Sequence, residues 1–227
     1  VAEYILAARE MGISILPVDV NKSVAEFGVE GKNIRFGFNA VKSMGRPTIT
    51  AIIEERTNNG DFHSMQDFIT RMAGVINKRT VEHLILAGAF DTFGNTRRGM
   101  MNVYERMIDS AVKQNKDAIS GQMSLFDFVS EEDKQSLEMK VPDIQEFEKE
   151  DLLEREKEVL GVYVTGHPLD EYTGMWEKHI SARSTDFLID EETGQAKLMN
   201  GSKQTIGGLI SNIKVITTGS GQQMAYL

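Results

Sequence analysis

The sequence predicts an α+β protein that is mainly helical and ends in a short β segment. Apolar residues recur at helical spacing, between polar caps and closing glycines, from residue 2 to about residue 178. From Gln204 the pattern changes to β-like alternation through Ile206, Leu209, Ile213 and Val215. A hydrophobic content of 41% with 26% charged residues is that of a soluble globular chain, so most of these segments should pack.

In order, residues 2–11 form a helix through Ile5, Leu6, Ala8 and Met11, closed by Gly12. Residues 13–20 read as a short strand that turns at Asn21, and residues 34–38 as a second strand. Asn39 is expected to cap a short helix from Ala40 to Met44. Gly45 ends it, and Pro47 starts the next helix in its first turn, where a missing N–H costs nothing. Asn58 to Asp61 form a turn. Ser64 to Asp67 have capping-box spacing, and Asn77 caps a helix with Val81, Leu84, Ile85 and Leu86. Gly88 closes that helix, and Asn95 or Thr96 caps a long one to about Lys116. Residues 143–160 make a charged helix with Ile144, Phe147, Leu152, Leu153 and Val159 available for burial. Gly166 to Tyr172 is a turn feeding a short helix. The turn Thr218-Gly219-Ser220-Gly221 joins two strands that cannot stand alone, so this last domain is expected to be truncated.

The 227 residues hold no cysteine, which excludes disulfides and thiolate metal sites and suits a cytoplasmic protein. No apolar run is long enough for a membrane helix, so no membrane partner is expected. The start without Met and the end inside a strand suggest a piece of a longer chain. The net charge of −9 is unevenly spread: residues 32–113 hold 12 Lys and Arg against 8 Asp and Glu, whereas residues 127–158 hold 5 against 13. A basic face is therefore available within an acidic chain.

Two stretches show helix, tight glycine turn, helix: Val41 to Arg46 before the Thr48 helix, and Leu84 to Phe90 turning at Gly88. Together they resemble a tandem helix-hairpin-helix unit. In that motif free backbone N–H groups and the positive end of a helix dipole meet a phosphate, so duplex DNA is held without contact to base edges. Lys42, Ser43, Gly45, Arg46, Lys78, Arg79, Gly88, Arg97 and Arg98 are the candidate DNA-binding residues. Ser43 stands where the family prefers glycine, Pro47 removes a donor, and the second hairpin has one glycine. Either hairpin is thus a phosphate cradle or a packing device.

Gln122-Met123-Ser124-Leu125-Phe126 offers an amide followed by two apolar anchors. It resembles the peptide by which bacterial replication proteins dock on the ring-shaped sliding clamp. Gln122, Leu125 and Phe126 are the candidate clamp-binding residues; the alternative is that Leu125 and Phe126 fold back on their own domain. Catalytic signals are lacking. The histidines stand apart, no nucleophile elbow or phosphate loop is present, and His167 with Asp170 is explained by a helix-start turn. No catalytic or metal residue is assigned, and no cofactor is expected.

The order of several segments resembles the bacterial DNA polymerase III alpha subunits, which are family C replicative polymerases. They are residues 12–21, 34–42, 77–79, 84–91, the Gln122 peptide, 156–163, 166–170 and 206–210. The resemblance implies the end of a fingers domain at 1–30, and a tandem helix-hairpin-helix, clamp-binding domain at 31–120. It further implies the clamp peptide and an acidic linker at 121–142, a connecting helical region at 143–200, and the start of an OB-like domain at 201–227. It implies as partners the sliding clamp (beta subunit), duplex DNA through its phosphates, and other replisome subunits. The polymerase's two Mg²⁺ ions belong to palm carboxylates upstream of Val1, so no acid here inherits that role. The competing readings are a stand-alone helix-hairpin-helix repair protein with the same clamp peptide, and a replication scaffold.

Overall fold

The computed structural model describes residues 2–119, 139–190, 194–210 and 212–226, and no helix among them is long and apolar enough to cross a membrane. Two units divide the chain, Val1–Gly166 and His167–Leu227.

The first unit opens with α1 (Ala2–Glu10), whose Ile5 and Ala8 are buried. Strand β1 (Ile15–Leu16) pairs in parallel with β3 (Asn33–Arg35), and β3 pairs antiparallel with β2 (Gly28–Glu30). The strand expected over 13–20 is therefore only two residues long. Pro17 has no N–H for a ladder, and Asp19 starts a turn by accepting from Asn21 N at 2.8 Å on its side chain and Ser23 N at 2.8 Å on its carbonyl. The helix expected from Ala40 to Met44 is replaced by a 3₁₀ turn, Phe38–Ala40, and an extended Val41. Asn39 turns its amide to Glu26 instead of capping, and Lys42 N donates to Val159 O, so no helical ladder can form.

Helices α2 (Arg46–Asn59), α3 (Met65–Arg71), α4 (Lys78–Leu86), α5 (Arg97–Ile119) and α6 (Lys149–Leu160) follow. The starts of α3, α4 and α5 obey the expected capping chemistry, whereas α2 and α6 have no side-chain cap and α6 begins at Lys149, six residues later than expected. Ser64 Oγ accepts from Asp67 N at 3.0 Å, Asn77 Oδ1 from Thr80 N at 2.9 Å, and Thr96 Oγ1 from Gly99 N at 3.0 Å. Each cap satisfies an amide that the helix leaves orphaned, a contribution of about 1 kcal/mol apiece. At the core, Phe68 meets Phe62 and Phe90 edge-on, with ring centres 5.0 and 5.1 Å apart. Ile52, Leu84, Ile85 and Met100 join the same buried cluster, at about 1.5–3 kcal/mol for each large apolar side chain removed from water. Ile5, Val20, Val159, Leu160 and Val164 belong to it as well, so the boundaries expected at 30 and 142 fall inside one core.

In the second unit, a 3₁₀ turn (Asp170–Tyr172) leads into α7 (Thr173–His179). His167 N donates to the Asp170 carboxylate at 2.7 Å, the local turn expected from that pair. Strands β4 (Lys214–Thr217) and β5 (Gln223–Tyr226) form the expected antiparallel hairpin. Residues 206–210 form no strand, contrary to expectation, and Ile206, Leu209 and Ile210 are exposed. With two strands the sheet has too little apolar surface to bury them.

Candidate nucleic-acid interface

The first hairpin, Val41 to Arg46, lies on the surface and is tied down at its base. Val41 is buried in the core, whereas Lys42, Ser43, Gly45, Arg46 and Pro47 are exposed. Lys42 N donates to Val159 O at 2.9 Å, and Lys42 O accepts from His83 Nδ1 at 2.7 Å. Ser43 then adopts φ +66°, a left-handed conformation in which a side chain costs about 1–2 kcal/mol. Gly45 precedes α2 with φ −82° and ψ 149°, and no side chain caps the helix. The first turn of α2 thus keeps the Arg46 and Thr48 amides without a side-chain acceptor, Pro47 having none to offer, and no acidic residue lies in that turn. This arrangement can hold an anion.

The second expected hairpin is a different object. Gly88 is buried at φ +81°, and a Cβ there would stand 2.3 Å from Arg97 Nη2. Arg97, 3% exposed, fills the turn. Its Nε and Nη2 donate to the two Asp91 oxygens at 3.0 and 2.7 Å, and its Nη1 donates to Leu86 O at 2.9 Å. Glu156, fully buried, lies 3.6 Å from Nη1 and accepts from Thr165 N at 2.9 Å and Thr165 Oγ1 at 2.8 Å. Burial works against the Arg97 charge, but the Asp91 hydrogen bonds and the surrounding carboxylates outweigh it and raise its pKa. The positive group expected to meet a phosphate is thus neutralised internally. Gly88 and Arg97, candidate DNA contacts by sequence, are both buried here, with the Arg97 guanidinium turned onto Asp91 and Leu86 O.

The start of α5 is also occupied. Glu146 accepts from Arg97 N at 2.7 Å and Arg98 N at 2.9 Å, placing a carboxylate where a phosphate would bind. The Arg98 side chain remains exposed. Lys78 bridges Asp109 at 3.0 Å and Glu105 at 3.3 Å, and the Asp109 hydrogen bond leads in raising its pKa. Arg79 is exposed on α4, one turn before His83 and on the same side of the helix. Sequence reasoning missed the turn between α3 and α4, where Gly74 takes φ +92° and Val75 is 48% exposed. A Gly-Val pair two residues ahead of the Asn77 cap was the available signal. Gln122, Leu125 and Phe126 lie outside the described residues. Among the described residues, no group of three or more His, Asp or Glu is arranged to hold a metal ion.

An exposed hairpin feeding an uncapped helix, next to a second helix–turn–helix pair, defines a class before any particular protein. A helix-hairpin-helix family model matches residues 12–100, which includes both turns. The chain is also similar throughout to DNA polymerase III subunit alpha. It is 34% identical to that of Deinococcus radiodurans, over 99% of this chain and 17% of that protein. The Thermus aquaticus protein is 36% identical over 99% of this chain and 18% of its own length. The Mycobacterium leprae protein is 33% identical over 93% of this chain and 18% of its own. The chain thus spans less than a fifth of the length of these relatives.

Proposed function

We propose that this chain is a non-catalytic part of a bacterial replicative DNA polymerase that grips duplex DNA by its phosphates and docks on the sliding clamp. The exposed first hairpin carries the reading. Its uncapped α2 amides, flanked by Lys42 and Arg46, offer donors and positive charge of the kind that meets phosphate oxygens. Exposed Arg79 and Arg98 extend the basic surface, and Lys78 can be recruited because ion pairs this exposed hold little energy. The family match and the similarity to the polymerase subunits support the same assignment.

On this reading Leu125 and Phe126 fill an apolar pocket on the clamp and Gln122 hydrogen-bonds at its mouth. The β4–β5 hairpin begins an OB-like domain. Tethering to a ring around DNA turns dissociation into rapid rebinding at high effective concentration.

Fluorescence anisotropy with a labelled duplex tests the first part. Affinity should fall steeply with salt, and Lys42→Ala with Arg46→Ala should lower the slope of log affinity against log salt by about 2. Salt-insensitive or absent binding refutes the DNA role. For the second part, Leu125→Ala with Phe126→Ala should weaken binding to purified clamp by about 2 kcal/mol or more. Unchanged affinity in that titration refutes the docking role and leaves the DNA role standing.

A further inference from the structure

We infer that His83 is the positioning residue of the DNA-gripping hairpin: its Nδ1–H holds Lys42 and so sets the path of Ser43 to Arg46. This rests on the duplex-binding reading and goes beyond it by naming the group that shapes the grip. Lys42 is the last hairpin residue with its backbone bonded on both sides. Its N–H satisfies Val159 O, a carbonyl in the final turn of α6 that has no intrahelical donor, at 2.9 Å. Its carbonyl faces His83 Nδ1 at 2.7 Å. A carbonyl can only accept, so Nδ1 carries the proton of this bond.

The next residue explains why such a hold matters. Ser43 is the one described non-glycine residue at positive φ, +66°. A conformation this unfavourable persists only where its surroundings over-determine it. The bond from His83 fixes the peptide unit that joins Lys42 to Ser43, immediately before the strained torsion. Without it the hairpin would relax, and the amides at the start of α2 would lose their common direction. His83 itself is half-buried.

The test uses the whole chain, a labelled duplex, and His83→Phe beside His83→Asn, whose side-chain amide can replace the Nδ1 donor. His83→Phe should weaken duplex binding about five- to tenfold, the effect of one lost hydrogen bond, with an unchanged salt slope because no phosphate contact goes. His83→Asn should restore most of the affinity. Hydrogen exchange at Ser43, Gly45 and Arg46 should quicken in the Phe variant and recover in the Asn variant. His83→Ala replaces His83→Phe if the latter does not fold. Wild-type binding with no change in the Phe or Ala variant overturns the inference alone. A reduced salt slope without rescue by Asn makes His83 a phosphate contact and overturns it too. Absent wild-type binding refutes the proposed function, and this inference with it.

Discussion

Gly88→Ala tests whether the second glycine turn is a structural joint or part of a DNA grip. The new methyl would stand 2.3 Å from Arg97 Nη2 and 2.8 Å from the Asp91 carboxylate, at a residue with φ +81°. The backbone penalty alone is about 1–2 kcal/mol. Arg97 cannot yield cheaply, since it is 3% exposed and held by Asp91, Leu86 O and the buried Glu156. Pushing it aside strands Glu156 without its cation, and breaking a buried pair costs about 3–5 kcal/mol. Asp91 is 40% exposed, so water softens part of that loss, and a total near 4 kcal/mol follows. Urea unfolding followed by far-UV circular dichroism measures it. Trp176 fluorescence would not, because the sole tryptophan lies in the second unit. A loss below about 1 kcal/mol would refute the account of the joint. If Gly88→Ala lowered duplex affinity in protein that was still fully folded, the glycine would be a phosphate contact after all.

Ser43→Gly should stabilise the chain by up to about 1 kcal/mol, because glycine removes the left-handed penalty but adds freedom to the unfolded state. A clear loss of stability in urea would show that the Ser43 side chain does more than the geometry implies. Acid stability should depend on Glu55, whose pKa is lowered by its hydrogen bond from Arg71 at 2.9 Å. A depressed carboxyl contributes stability that is complete above its unfolded value of 4.5 and fades as pH falls through the lower folded value. Glu55→Gln should therefore destabilise near neutral pH and flatten the acid limb of melting temperature against pH. An unchanged limb refutes the pairing.

What was legible in the sequence was local chemistry. Ser64, Asn77 and Thr96 announce helix starts because each cap acts within three residues, and Gly12 announces the end of α1 by its left-handed turn, φ +73°. The failures share a different cause. A helix over Ala40 to Met44 satisfies every local rule, yet Lys42 is claimed by Val159 and His83, residues far along the chain. Glu156 is one acid among many on a helix expected to be charged, yet it is fully buried beside Arg97. The candidate site divides the same way. Lys42, Ser43, Gly45 and Arg46 stand exposed together, while Gly88 and Arg97 were drawn into the interior by partners that no spacing reveals.

That division changes what the charge pattern means. Of the 12 Lys and Arg in residues 32–113, four are internal ties. Arg35 holds Pro17 O and Glu30, Arg56 holds Val20 O and Ser23 O, Arg71 holds Glu55 and Asp67, and Arg97 holds Asp91. The net positive count of that segment thus overstates what a polyanion meets. The exposed cations nearest the hairpin are few, and each phosphate contact is bought back from counterions that salt restores. A grip of that kind binds duplex weakly and lets it slide, which suits DNA that must move through a polymerase. On the proposed function, lasting attachment comes from elsewhere, through a contact that does not track salt. An apolar anchor such as Leu125 with Phe126 meets that requirement, because burial of hydrocarbon is insensitive to the ions that loosen the hairpin. The two proposed contacts are therefore separable: raising salt should release the duplex while binding to the clamp persists.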